Sequence, residues 1–403
     1  MSRMHPETEH FTPARAAQGM AFRFAGKEGR VLGQGPMRCL PGGTSESLGI
    51  RLARHFDEHG VDTIVAGAFP FDRSRNDHMF SLAEGTRDPR ADSLPAMTAR
   101  FHSVHPEPAP QVFHDSVARA LVHLEKAADT AGGLRKVVLA RSLLARAEQP
   151  IDPGALFAAL SHDPGVTSFQ IPLPDRDGQS RHLVGATPEL LISKSGGAIR
   201  SHPLAGSARR QADLAQDAKA ASLLSQSSKD WREHQFLVEY ILDTLAPFCD
   251  RLTMPEGTSL TSTRTMWHLG TWIEGHLRDP DTPSAVLAAA LHPTPAVCGV
   301  PHRPATELIR DLEPVDRDFY AGAVGWCDGS GDGAWYVAIR CAEICGAQAR
   351  LYAGAGIVPG SDPQSETEET GAKFGAMLAA LGLPRDAGLA GVTANSPLQD
   401  NVE

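Results

Sequence analysis

Between residues 61 and 71 the chain reads VDTIVAGAFPF, an almost unbroken apolar run of the length and composition of a buried strand. The next stretch, RNDHMFSLAEGTRDPRADSLPAM, breaks that pattern with charge, glycine and proline, and predicts a long irregular connection. VFHDSVARALVHLEKAADTAGG then places Val117, Ala120, Leu121 and Leu124 at helical spacing and stops on Gly132 and Gly133, which predicts an amphipathic helix. KVVLARSLLAR predicts a strand, and so do SFQIPLP, HLVGATPELLISKSGGAIRSHPLAG and DFYAGAVGWCDGSGDGAWYVAIRCAEICGAQARLYAGAG, with SGG and GSGDGAW as hairpin turns inside them. Further helices are predicted over 213–225, 229–246, 283–291, 303–312 and 364–382. Strands arrive in consecutive hairpins rather than alternating with helices, which favours an α+β class over a doubly wound parallel sheet. Residues 1–18 and 385–403 are expected to be disordered ends.

Composition narrows the class. With 41% hydrophobic and 21% charged residues over 403 positions, the chain is an ordinary folded protein able to bury a large core, and length alone leaves the domain count open. A formal charge of −10 argues against a nucleic-acid or anionic-membrane surface, and means that an anionic substrate would need local cations. Six cysteines are scattered without a CxxC pair, as expected of buried thiols in a reducing cytoplasm. The first residues lack an apolar core, so no secretory leader is expected, and no run approaches the roughly 18 apolar residues of a membrane span. A cytoplasmic protein is expected.

Several motifs carry candidate chemistry. In GSDPQSETEETGAKFGAML, helical spacing puts Glu366, Glu369, Thr370 and Lys373 on one face. That face is either a solvated first turn that complements the helix dipole, or part of a hard-cation site that needs another carboxylate from elsewhere. SSKDWREHQFLVEYILDTL offers one: Asp230 and Glu233 lie in the first turns of a helix, and Glu233 shares the core face with Phe236, Leu237 and Tyr240. A carboxylate on a packed face needs a partner or a metal. Lys136 opens an apolar strand, as a snorkelling strand-end lysine or as an amine desolvated enough to act as a base. Glu189, in VGATPELLIS, is either a structural turn residue or a half-buried general acid. The glycines of ARLYAGAGIVPGSD have GxGxxxG spacing with no acidic residue at the expected distance after a second strand, so they fit close backbone approach to a small ligand better than a dinucleotide loop. DGSGDG lacks the acidic residue that closes a calcium loop and fits a hairpin tip; His292 and His302 lack zinc-site spacing, and Pro293, Pro295 and Pro301 suggest a rigid turn lining a cavity.

Taken together and in order, KVVLARS, GATPELL, SHPLAGSARR, SKDWREHQFLV, MWHLGTWIEG, LHPTPAVCGVP, GWCDGSGDGAWYVAIRCAEI and LYAGAGIVPGSDPQSETEETGAK resemble the chorismate-utilising enzymes of menaquinone, siderophore and tryptophan biosynthesis. The likeness runs over about 130–382 and is strongest to the isochorismate synthases of the siderophore type; residues 1–125 resemble the family only loosely. It implies one large α+β domain over about 19–384, with antiparallel sheets packed face to face and flanked by helices. It also implies magnesium-dependent conversion of chorismate to isochorismate. By resemblance, Lys136 is the water-activating base and Glu189 the general acid. Glu233 and Glu369 are magnesium ligands, with Glu366 acting behind them through water. Lys373 and Arg340 bind carboxylates, Gly206 lies near the ring hydroxyl, His268 lines the pocket, and Gly354 and Gly356 offer backbone amides. Anthranilate-type relatives usually carry glutamine at the lysine position and need a glutamine amidotransferase, so no such subunit is expected, and a monomer is. Salicylate synthases, which go on to eliminate pyruvate, are the near alternative; they tend to carry threonine and leucine where this chain has Ala296 and Ile339, whereas Tyr320 does not discriminate. The resemblance also admits a menaquinone-pathway enzyme and an inactive binding paralogue, of which the paralogue should lack one of Lys136, Glu189, Glu233 or Glu369.

Overall fold

The computed structural model describes residues 21–87 and 96–389. Among the described residues, strand pairing forms one antiparallel ribbon of seventeen strands and a separate three-stranded sheet. From one end, the ribbon runs Cys249–Thr253, Ile273–Leu277, Ala198–His202, Leu190–Ser195, Gly333–Val337, Ala323–Asp328, Ile64–Phe69, His78–Arg87, Gly29–Cys39 and Ala21–Gly26. It continues through Thr167–Arg176, Gln179–Thr187, Cys341–Cys345, Gln348–Ile357 and Lys136–Ala147, which also pairs with Phe101–Glu107 and Gly299–Val300. The ribbon folds back on itself. Val137, Leu139, Ala355 and Ile357 from one half share a hydrophobic cluster with Ala323, Val324, Tyr336 and Val337 from the other. Such burial from two faces explains why these strands read as continuous apolar runs rather than alternating ones.

Helices flank the ribbon. Pro110–Ala127 buries Val117, Ala120 and Leu124 of the predicted face together with Phe113, leaving Leu121 half-buried, and Ser228–Leu245 buries Glu233, His234, Leu237, Val238, Ile241 and Leu245. Leu214–Gln226, Ser284–Leu291 and His302–Leu312 lie where periodicity places them. The α+β class and the face-to-face antiparallel packing agree with the expectation.

Several local expectations are corrected. The expected irregular connection after residue 71 contains a ten-residue strand, His78–Arg87, paired on both sides. Its buried Met79, Phe80 and Leu82 drive pairing that the flanking glycine and charge hide. The helix predicted over 364–382 is two, Pro363–Lys373 and Gly375–Ala380, meeting at buried Phe374. Thr370 keeps its place on that helix face, but its hydroxyl binds Arg141 and the Thr367 carbonyl. Cys39 is exposed, while all six cysteines are free. Of the expected disordered ends, 1–18 and 390–403 lie outside the described residues, while Ala387–Leu389 form a 3₁₀ turn. No helix among the described residues is long and apolar enough to cross a membrane.

Candidate active site

A cleft of about 760 Å³, counting its open mouth, forms where the Lys136 end of the ribbon meets the three-stranded sheet and two helices. Strand parity builds one wall. Val138 pairs with Gly356 and Ala140 with Gly354, so Lys136, Val138, Gly354 and Gly356 share a face. Glycine is required at 356: a Cβ there would lie 2.0 Å from Glu233 Oε1 and 3.2 Å from Lys136 Cε. The small sheet supplies a second wall. Its register shifts between Ala205 and Ser207, leaving Gly206 in a bulge at φ +65° with no room for a Cβ beside Asp230. That bulge aims the Ser207 hydroxyl, which donates to Glu369 Oε1 at 2.9 Å, and lets the Gly206 carbonyl meet His268 Nδ1 at 3.2 Å. With Nδ1 as donor there, His268 Nε2 is an acceptor, buried and without a partner. Burial pushes His268 down to about 3, so the ring is neutral.

Glu189, 3% exposed, follows the strand Gln179–Thr187 into the cleft. Burial pushes its carboxyl up to about 8, against opposing pulls from Lys136, the Leu204 amide, Arg340 and Lys373. It therefore carries a proton near neutrality. Arg340 enters from the turn between Gly333–Val337 and Cys341–Cys345 with φ at +53°, a left-handed conformation that costs a non-glycine residue about 1 kcal/mol or more. Its carbonyl accepts from the Ala186 amide at 3.1 Å, which ties the strained turn to the Glu189 strand. Burial lowers the Arg340 guanidinium, while Tyr320, Glu369 and Glu189 pull the other way.

Three carboxylates and three lysines meet at this end. Lys136, wholly buried, holds Nζ 2.9 Å from Glu233 Oε1 without hydrogen-bond geometry. Lys373 Nζ lies 2.6 Å from Glu369 Oε1 and donates to the Gly354 carbonyl at 2.8 Å. Lys229 Nζ lies 2.5 Å from Glu366 Oε1. Burial and the charge of Glu369 push Glu366 up against the pull of Lys229; burial would raise Glu369 too, but Lys373, Lys229 and Ser207 outweigh it and hold it low. The acidic helix is therefore not a solvated turn, because Glu366 is 1% exposed.

Glu189, Gly206, Glu233, His268, Arg340, Gly354, Gly356, Glu369 and Lys373 all line the cleft. Lys136 sits behind Glu233, and Glu366 lies beneath the wall. Residues not anticipated from sequence are Lys229, Ser207, Arg317 and Tyr352, the last stacked on Tyr320 at 4.7 Å. Lys229 and Ser207 fall inside the SKDWREH and PLAGS stretches, so their adjacency to Glu233 and Gly206 was the available signal. Ala296 and Ile339 also line the cleft, as the proline-rich turn suggested for the former.

The donor set suits a hard cation. Glu233 and Glu369 present carboxylate oxygens to the cleft, and Glu366 Oε2 is buried with no hydrogen-bond partner. Among the described residues no three or more His, Cys, Asp or Glu side chains enclose a metal by themselves. That arrangement fits magnesium, which binds through one or two carboxylates and keeps water or substrate oxygens in its other positions.

The chorismate binding enzyme family model matches residues 60–382. Isochorismate synthase DhbC of Bacillus subtilis strain 168 is 40% identical, over 87% of this chain and 88% of its own. Isochorismate synthase EntC of Escherichia coli K12 is 38% identical, over 79% of this chain and 81% of its own. The crystal structure of a Bacillus anthracis protein provisionally assigned as the 2,3-dihydroxybenzoate-specific isochorismate synthase DhbC superposes with a TM-score of 0.83 at 38% identity. It covers 91% of this chain and 97% of that one.

Proposed function

Because this chain belongs to the family of chorismate binding enzymes, we infer that it is an isochorismate synthase, an isomerase that converts chorismate to isochorismate. The observation that carries the chemical reading is Glu189: a carboxyl group held protonated near neutrality in the cleft that Glu233 also lines, with Lys136 set against Glu233 behind it. An acid and a base with different surroundings in one cleft are what a concerted addition and departure of water needs.

In this reading the ring carboxylate lies against Lys373 and the enolpyruvyl carboxylate against Arg340. Gly354 and Gly356 leave space for the substrate beside the backbone, and neutral His268 offers Nε2 to a hydroxyl. Lys136 takes a proton from a water as its oxygen bonds to C2; the ring double bonds shift, and Glu189 gives its proton to the C4 hydroxyl, which leaves as water. One water enters and one leaves, so the product is an isomer of the substrate. A magnesium ion held by Glu233 and Glu369, with Glu366 behind through water, would offset the carboxylate charge of the substrate in a protein of charge −10. Ala296 and Ile339 in the cleft support release of isochorismate without pyruvate elimination.

The likeness to the two DhbC proteins supports a place at the first step toward a 2,3-dihydroxybenzoate siderophore, and the protein is proposed to act in the cytoplasm as a monomer without an amidotransferase subunit. Incubation of the purified protein with chorismate and magnesium, with and without EDTA and with and without ammonium, tests the reading. Isochorismate that disappears with EDTA is expected. Salicylate with pyruvate, or an aminated product that requires ammonium, would move the protein to a sister activity.

A further inference from the structure

Arg141 lies five residues beyond Lys136 on the same strand, and the odd spacing turns it to the other face of the sheet. It is 2% exposed. Nε donates to Thr370 Oγ1 at 2.8 Å, Nη2 donates to the Gly388 carbonyl at 2.8 Å, and Nη1 is buried without a hydrogen-bond partner. The guanidinium stands 5.2 Å from the centre of the Phe374 ring and 6.0 Å from that of Phe113. Burial pushes Arg141 down to about 10, with no acidic group opposing the shift. A buried guanidinium without a carboxylate is an expensive way to fill space that a methionine could fill.

Its contacts suggest what offsets that cost. Thr370, Phe374 and Gly388 belong to one flank of the acidic helix Pro363–Lys373, its end, and the turn packed on it. Gly371 permits that packing: a Cβ there would lie 2.3 Å from Leu389 Cδ2 and 3.0 Å from the Gly388 carbonyl. One turn before Thr370 on that flank, Glu366 reaches Lys229, while Glu369 and Lys373, further round the helix, reach the cleft. We propose that Arg141 is a positioning residue that pins the Thr370 flank of the acidic helix to the sheet and to the Ala387–Leu389 turn, and thereby fixes Glu369 and Lys373 in the cleft. A rigid fork bonds two chain segments at once, which a lysine ammonium at this site would do less well.

The clamp stands on the contacts alone; its effect on metal affinity rests on the proposed magnesium reading of the cleft. The test uses the full chain with R141K and with T370V, which removes a single hydroxyl and leaves the guanidinium in place. Two quantities are measured: Mn²⁺ affinity by electron paramagnetic resonance titration, and amide hydrogen exchange of residues 363–373 without metal. Both variants are expected to weaken Mn²⁺ binding about tenfold, as loss of a group behind a metal ligand does. They should also speed exchange in that helix, while the strand Ala323–Asp328 keeps its wild-type protection. Metal affinity within twofold of wild type together with unchanged helix exchange would overturn the proposal. A lower melting temperature without either change would also overturn it, by reducing Arg141 to core packing. If the wild type binds no Mn²⁺, the metal reading of the cleft fails, and helix exchange alone decides for or against the clamp.

Discussion

Lys194 and Lys136 are both buried lysines set against a carboxylate, one at the tips of two hairpins and one beneath the cleft. Lys194 Nζ lies 2.8 Å from Asp332 Oδ1 and donates to the Ser330 carbonyl at 3.1 Å, while Asp332 also accepts from the Gly196 amide at 2.9 Å. These bonds tie the turn after Leu190–Ser195 to the turn before Gly333–Val337. Lys136 Nζ has an ion contact with Glu233 but no well-formed hydrogen bond, and Glu233 faces the cleft. A buried lysine that serves the fold is satisfied by fixed neighbours; one that serves chemistry is left partly unsatisfied beside the place a substrate enters.

The largest effects should separate these two regions. K136Q and E189Q are each expected to lower the rate of isochorismate formation about a hundred- to ten-thousand-fold with circular dichroism unchanged. K194M should leave kcat within about threefold and instead lower stability by roughly 1 to 3 kcal/mol in urea unfolding, discounted because Asp332 is 26% exposed. A K194M enzyme that loses activity while keeping its stability would break the comparison.

A glycine pair sharpens it. G356A puts a methyl group onto Glu233 and Lys136 and should cost about a hundredfold in kcat/KM, the penalty of displacing reacting groups by an ångström. G196A, at φ +56° in the hairpin turn with nothing within 4 Å of the new Cβ, should leave kinetics unchanged and cost about 1 kcal/mol in unfolding.

The last test is in pH. Glu189 is raised from 4.5 to about 8, so the fold favours its protonated form. The stability linked to that preference is complete below about 4.5 and is lost as pH rises through 8. E189Q carries no such charge. Its unfolding free energy relative to wild type should therefore rise between pH 5 and 8, by up to about 1.4 kcal/mol per unit. Wild-type kcat/KM should fall above pH 8 with the loss of one proton. A flat profile to pH 9 would remove Glu189 as the acid.

Part of this site was legible in local patterns, while Gly206, His268 and Arg340 came only through the family resemblance. Spacing put Glu366, Glu369 and Lys373 on one helix face, and put Glu233 on the packed side of another. What spacing could not supply were partners distant in the chain. Thr370 satisfies the same periodicity as Glu366 and Glu369, yet it turns to Arg141, 229 positions away. His78–Arg87 is a strand because two other strands flank it, a fact absent from its own composition. The strands Cys249–Thr253 and Thr258–Ser262 were not anticipated because most of their residues face solvent and carry no apolar signature. Ser207 could not be tied to Glu369 before the Gly206 bulge was seen to aim it.

The central claim is that water activated at Lys136 adds to C2 while the C4 hydroxyl leaves with a proton from Glu189. Turnover of chorismate in H₂¹⁸O with magnesium, followed by mass spectrometry of the product, tests it most directly. The account predicts isochorismate bearing one ¹⁸O at the C2 hydroxyl, formed by the wild type and lost in K136Q. Unlabelled isochorismate, or labelled product formed equally well by K136Q, would contradict it.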